Sequence, residues 1–254
     1  MDPLLLQEGI AYAEMNLGEN SHLWLDKKIL KENFRLQQKQ VLDFGCGMGN
    51  MSIWMAREMG CHVDGFDIDE NHMEVCGAML RKYPSDVRFE LRNIITAPTD
   101  KRYDLILLND VIEHLDPGLI PGILTTLVWD NLEDGGTLFI SYPPWEGPHA
   151  SHMQRAIRIP WLQYFPKKWV IGKIARNNRH TVGRFDLLGE YLALNHMCHK
   201  KLQSYLGGLP LRKVIRLSYT KLNRIPVLAA VNFNFFPAKF LVTKEFLILI
   251  KSRV

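Results

Sequence analysis

Three glycines at alternate positions, Gly45, Gly47 and Gly49, follow the apolar pair Val41-Leu42 and the carboxylate of Asp43 in the run VLDFGCGMGN. A buried strand that feeds such a turn leaves its backbone open to a polar ligand. Each glycine removes a Cβ where the chain must bend or be approached closely, and a helix starting near Asn50 would aim free amides at the same place. The spacing is Gly-x-Gly-x-Gly, with an acid just ahead, and differs from the Gly-x-Gly-x-x-Gly of dinucleotide-binding turns. A plain strand-to-helix turn is the alternative reading, so the cofactor cradle that the segment suggests must have partners downstream.

Polar residues do stand where later strands should end. Cys61-His62-Val63-Asp64-Gly65-Phe66-Asp67-Ile68-Asp69 closes on acids about twenty residues past the glycines, at the distance of a ribose ligand, and Asp69 suits the cap of a helix starting near Asn71. Val87 to Ile94 forms a third strand ending at Asn93, a residue type equally at home in a turn. Tyr103 to Asn109 is apolar enough for a central parallel strand, so Asp110-Val111-Ile112-Glu113-His114-Leu115 would emerge at the carboxyl end of the sheet. Together these segments resemble the class I S-adenosylmethionine-dependent methyltransferases over residues 38 to 141, closest in motif style to the ubiquinone-type small-molecule O-methyltransferases. The resemblance implies S-adenosylmethionine as cofactor and a binding set of Asp43, Gly45, Cys46, Gly47, Gly49, Asp67, Ile68, Asn93, Ile94 and Asn109. In it Asp43 would meet the ammonium of the methionyl end, Asp67 the ribose hydroxyls, Ile68 the adenine face, and Asn93 the adenine amino group.

The elements that must position these residues follow from periodicity. Strand-like segments near 40–44, 62–67, 87–91, 103–109 and 136–142 alternate with helical stretches near 50–59, 71–82 and 118–131, which means βαβ units and a parallel sheet. One or two helices are expected over 4–36, and one long helix over Phe185 to Leu206, ending at Gly207-Gly208. Lys213 to Tyr219 and Phe246 to Lys251 read as the last two strands. The fold class is therefore α/β. With the resemblance it becomes a Rossmann-like, mostly parallel seven-stranded sheet with an antiparallel edge strand and a basic, aromatic lid after the fifth strand. A single domain is expected over 1–254, with a helical cap at 1–37, a cofactor-binding core at 38–142, the lid at 143–184, and a C-terminal helix and strands at 185–254.

Charge is divided between the halves. Residues 1 to 146 hold 24 acids against 12 Lys and Arg, a net −12, and residues 147 to 254 hold 3 acids against 19 bases, a net +16. Between Gly147 and Phe185 there is no acid, while Arg155, Arg158, Lys167, Lys168, Lys173, Arg176, Arg179 and Arg184 interleave with Trp161, Tyr164, Phe165 and Trp169. Such a stretch suits an anionic or lipid-like substrate, an acidic membrane surface or a nucleic-acid backbone, against the plainer reading of a solvated loop. The most apolar stretch, Ile225 to Val242, is broken by prolines, asparagines and Lys239 and falls short of the roughly twenty residues of a membrane span; buried core or a substrate wall is expected there. Four scattered cysteines without Cys-x-x-Cys spacing, and an opening with no basic-then-apolar leader, point to a reduced, cytoplasmic protein.

Methyl transfer to a hydroxyl needs alignment, exclusion of water and a base near neutral pKa, for which histidine is the usual choice. The candidates are His114, His149 and His152, each with a plain structural role as its alternative. Asp110, Glu113 and His114 would also present three ligands on one face if this segment were helical. No fourth ligand is identifiable, and no metal is assigned. The function expected is transfer of a methyl group to a hydroxyl of a small, apolar or anionic, lipid-like acceptor, with peripheral membrane contact. An RNA methyltransferase and a non-catalytic binding protein are the alternatives.

Overall fold

The apolar runs become the strands of one sheet because their residues must be covered on both faces. The computed structural model describes residues 1–19, 21–153, 157–178 and 187–253, so Arg155, Arg179, Arg184 and Phe185 of the basic stretch lie outside the described residues. Seven strands, β1 (Gln40–Phe44), β2 (His62–Asp67), β3 (Val87–Leu91), β4 (Tyr103–Asn109), β5 (Leu132–Tyr142), β6 (Leu211–Thr220) and β7 (Val242–Lys251), are ordered β3-β2-β1-β4-β5-β7-β6. Strands β1 to β5 pair in parallel, and β7 runs antiparallel to both β5 and β6. Asp43 sits opposite Gly65 on one side and Leu107 on the other. The chain order reverses at β1, and in open α/β sheets ligands bind at the carboxyl ends of the strands beside that reversal.

The period-2 alternation of strands divides the core. Leu42, Ile106, Leu108, Leu138 and Ile140 pack under α5 (Ile120–Thr126) and α8 (His199–Leu206). Val41, Leu105, Leu107 and Phe139 face the opposite layer of α2 (Trp24–Asn33), α3 (Asn50–Met59) and α4 (Glu70–Lys82). Each such side chain, fully buried, contributes roughly 1.5–3 kcal/mol. The N-terminal helix α1 (Pro3–Leu17) lies over this second layer, against α3 and α4.

The structure departs from the sequence expectation in three places. The single helix expected from Phe185 to Leu206 is two, α7 (Leu187–Ala193) and α8. The residues between them are drawn to the site, where the Asn195 amide donates to Glu113 O at 2.9 Å and the Trp145 amide to Met197 O at 2.7 Å. The basic insertion folds around a small core of its own, in which Met153, Ile157, Leu162, Val170 and Ile174 from the insertion and α6 (Lys167–Asn178) meet Leu187 and Tyr191 of α7. Finally, Ile225 to Val242 is mostly neither core nor substrate wall. Phe233 and Val242 are buried, but the backbone winds through short 3-10 turns at Pro226–Leu228 and Ala238–Leu241, and Ile225, Val227, Phe235, Phe236 and Leu241 stand in solvent. Among the described residues no helix is long and apolar enough to cross a membrane.

Candidate active site

The turn after β1 places Gly45, Gly47 and Gly49 in the left-handed region, at φ 74°, 53° and 76°. A Cβ on Gly49 would fall 2.5 Å from Phe89 Cζ, so this glycine lets the turn pack on β3. A Cβ on Gly47 would meet nothing within 4 Å. The space it leaves belongs to a cavity of about 740 Å³ at the carboxyl end of the sheet, within the roughly 300–1,000 Å³ of small-molecule sites. Asp43, Gly45, Cys46, Gly47, Asp67, Ile68 and Asn109 line it together. Gly49, Asn93 and Ile94 do not. Asn93 accepts the Ile95 amide at 3.0 Å and so caps its own turn, and Ile94 belongs to the core.

The two acids differ in their surroundings. Asp67 accepts the Gly47 amide at 2.8 Å and the Asp69 amide at 3.0 Å, with His72 Nδ1 at 3.4 Å. Burial works against its charge, but His72 and the two amides outweigh it and hold the carboxyl below its usual range. Asp69 accepts the Asn71 amide at 2.7 Å and caps α4. Asp43 is 2 % exposed, and its partner is the Ser52 hydroxyl, which donates at 2.5 Å. Burial raises it to about 6, the Asp67 charge adding to the effect and Ser52 opposing it. A buried carboxylate without a cationic partner among the described residues, beside a glycine whose missing Cβ leaves open space, fits the ammonium end of S-adenosylmethionine.

Of the three histidines, His114 lines the cavity, and His149 and His152 do not. Burial, aided by the neighbouring His152, lowers His114 to about 4. The His152 ring meets it edge-on with centroids 4.9 Å apart. His152 lies between two carboxylates, with Nε2 3.6 Å from Glu113 and Nδ1 3.6 Å from Glu190, which itself lines the cavity. Glu113 is 3 % exposed and neither of its oxygens has a hydrogen-bond partner. Burial and then the charge of Asp110 raise it to about 8, against the pull of His152. His149 is half-buried elsewhere, with Lys221 among the charges that act on it. The buried Asn195 side chain donates to Ile112 O at 2.7 Å and Leu115 O at 2.8 Å, fixing the turn that carries Glu113 and His114.

That turn is not helical, so Asp110, Glu113 and His114 do not share a face. Asp110 instead faces Lys244, whose ammonium lies 2.6 Å from both Asp110 and Asp26. The donors brought together are Glu113, His114 and His152, with one ligand atom from each within 4.8 Å of the others. This set suits a divalent cation or a shared proton.

Several cavity residues lay beyond the reach of the sequence argument. His72 and Arg92 come from neighbouring segments, and Leu5, Glu8, Gly9 and Tyr12 of α1 form a wall. The insertion was expected to close the pocket, but none of the described residues 143–178 lines it, and α7 contributes Glu190. Amphipathic pattern shows that α1 packs against something without showing what.

Known proteins share both the motifs and the architecture. Residues 20–182 match the family described as methyltransferase domain. The ubiquinone biosynthesis O-methyltransferase of Aeromonas salmonicida is 32% identical over 108 residues, covering 41% of this chain and 42% of that protein. The phosphoethanolamine N-methyltransferase of Plasmodium falciparum is 30% identical over 113 residues, 42% of each chain. The chain thus matches less than half the length of these curated relatives. In fold it resembles the geranyl diphosphate C-methyltransferase of Streptomyces coelicolor A3(2), solved with Mg2+, geranyl diphosphate and S-adenosyl-L-homocysteine, at a TM-score of 0.57 and 16% identity over 91% of this chain and 78% of that one. With the family matched over most of the chain and the glycine turn, Asp43 and Asp67 gathered at one cavity, this protein belongs to the methyltransferase-domain family, as a class I S-adenosylmethionine-dependent member.

Proposed function

We propose that this chain transfers a methyl group from S-adenosylmethionine to a hydroxyl of a small, apolar or anionic, lipid-like acceptor. The observation that carries the reading is that one cavity is lined by both the cofactor set, Asp43, Gly47 and Asp67, and the imidazole of His114. When bound, S-adenosylmethionine supplies an activated methyl carbon whose sulfur leaves as a neutral thioether. Asp43 would pair with its ammonium and Asp67 with its ribose hydroxyls, and Ile68 offers an apolar face for adenine. His114, kept neutral by burial, is free to take the proton that the acceptor oxygen loses as its new bond to carbon forms. The imidazolium so made is met by Glu113, within 4.8 Å, once that carboxyl is ionised. Val111 and Leu115 make the cavity wall beside His114 apolar, which favours an acceptor with an apolar body.

Incubation with methyl-labelled cofactor and cell extract, followed by solvent partition, separates the readings. Label in a small organic-soluble product that falls by about 10²–10⁴-fold in His114→Gln, with cofactor affinity retained, is the expected result. Label in RNA, with affinity that falls steeply as salt rises, would favour the RNA methyltransferase instead.

A further inference from the structure

The connection between β6 and β7 is built to hold apolar side chains outward. Val227 is 85% exposed and Phe236 77%, with Ile225, Phe235 and Leu241 also in solvent. Loose packing does not explain this, because the side-chain amides of buried Asn223 and half-buried Asn232 fix the backbone. The Asn223 side chain donates to Leu228 O at 3.1 Å, Ala229 O at 3.3 Å and Val231 O at 2.8 Å. Asn232 donates to Arg216 O at 2.7 Å and accepts the Ser218 amide at 3.0 Å. Thr220 and Asn223 close a capping box at the entry to the segment. A rigid scaffold that keeps large apolar groups in water marks an interaction surface.

Its charge names the partner. Lys221, Arg224 and Lys239 flank the apolar tip and are exposed, with Glu146 4.0 Å from Lys239 as the one acid paired there among the described residues. The Trp161 indole donates to Phe240 O at 2.9 Å, fastening the segment to the insertion, where Tyr164, Phe165, Lys167, Lys168 and Trp169 are exposed in one run. Among the described residues from 147 to 253 the acids are Glu190 at the cavity wall and Glu245, which is buried and paired with Arg216. A second copy would oppose two basic faces. An anionic bilayer receives both the cations and the aromatic and aliphatic tips, which prefer the headgroup region.

We propose that residues 221–241, with the adjoining Tyr164–Trp169 run, dock this protein on an anionic lipid surface, with Val227 and Phe236 entering the interface. The face lies at the carboxyl end of β5, the end of the sheet that also carries the cavity.

Co-sedimentation of the full chain with vesicles of phosphatidylcholine, with and without phosphatidylglycerol, tests this. The wild type should partition onto the anionic vesicles at least about tenfold better than onto neutral ones. Val227→Asp combined with Phe236→Asp should lose about tenfold or more on the same vesicles, and Val227→Asp alone part of it, while the thermal shift produced by S-adenosylhomocysteine stays unchanged. Equal partition of wild type and variants, or no preference for anionic vesicles, would overturn the proposal. So would a wild-type dimer that the double substitution converts to monomer, which would give the face to a second copy. Failure of methyl transfer leaves the vesicle result standing, so the two readings fall separately.

Discussion

Asp43 and Asp67 carry the same chemistry with pKa values shifted in opposite directions, and the pH response of the site depends on the difference. Asp67, fed by two amides, is ionised throughout the physiological range. Asp43, buried with one hydroxyl donor, titrates at about 6 in the free protein. A cation bound beside it requires the ionised form, so cofactor affinity should be level above this pH and fall about tenfold per unit as pH drops below it. Calorimetry near pH 6 in buffers of different ionisation enthalpy should record proton release on binding, and binding independent of pH from 5 to 8 would remove Asp43 from the ammonium site. The glycines allow a sharper separation. Gly49→Ala adds a clash with Phe89 to the cost of left-handed backbone and should lower stability by about 2–3 kcal/mol. Gly47→Ala pays only the conformational cost, about 1 kcal/mol, yet projects its methyl into the cavity and should cost far more in cofactor affinity than in melting temperature. At this scale the cofactor end was legible in the sequence because its residues are close along the chain and each stands at a strand end. Asn93 shows the limit of that reading, since an asparagine that accepts the amide of its own turn, as it does from Ile95, has the same sequence context as one that faces a ligand. The His152 pairing with Glu113 and Glu190 was out of reach, because it joins residues that only the packed insertion brings together.

The elements around the cavity owe their placement to a few buried polar contacts. The clearest is Lys27 of α2, which is fully buried and donates to Asn16 O at 2.8 Å, Leu17 O at 2.9 Å and Gly18 O at 2.8 Å, with Ser21 Oγ at 3.3 Å. These carbonyls lie at the C-terminal end of α1, so the lysine acts as its cap and complements the negative end of the helix dipole. Gly9 lets α1 close on α4, since a Cβ there would fall 2.6 Å from Val75. Helix α1 supplies Leu5, Glu8 and Tyr12 to the cavity, and loss of its cap should therefore be felt by the ligand. Lys27→Met, which keeps the stem and removes the donors, should destabilise the protein by about 2–4 kcal/mol and weaken cofactor binding several-fold without moving the pH dependence set by Asp43. Hydrogen exchange should show the gain in opening concentrated in α1, and unchanged protection there would mean that the clasp does not hold the helix. The sequence indicated one or two helices over 4–36, because apolar periodicity is local, without separating α1 from α2. It could not place α1 over the pocket, since that position rests on a lysine reaching ten residues back to carbonyls that no pattern encodes. The break between α7 and α8 has a similar origin, in that Asn195 gives up helical geometry to hold the Glu113 turn.

At the scale of the molecule, the cavity draws its walls from segments far apart in the chain: α1, the ends of β1, β2 and β4, and Glu190 of α7. The parallel strands were legible because βαβ alternation permits few arrangements, and the strand order, with the switch point that fixes where ligands bind, came from the structure. The charge division between the halves was legible too, but its meaning was not. The insertion builds a small core of its own and reaches the site through His152, beside His114 and Glu190, and the apolar stretch that looked buried mostly faces solvent, since hydropathy reports composition and not which side of a turn is covered. If a pocket lined by residues 1–115 and by Glu190 ties its parts into one folding unit, the chain should show one cooperative thermal transition by both fluorescence and circular dichroism. S-adenosylhomocysteine at about a hundred times its dissociation constant should then stabilise that unit by about 2.7 kcal/mol and raise the midpoint by roughly 5–10 °C. In Asp67→Ala, which loses the carboxylate assigned to the ribose and the bond to the Gly47 amide, the shift should nearly vanish while the transition stays single. Two separated transitions, only one of which responds to the ligand, would instead mean that the insertion and its helices fold apart from the sheet and that Glu190 reaches the cavity from an independent body.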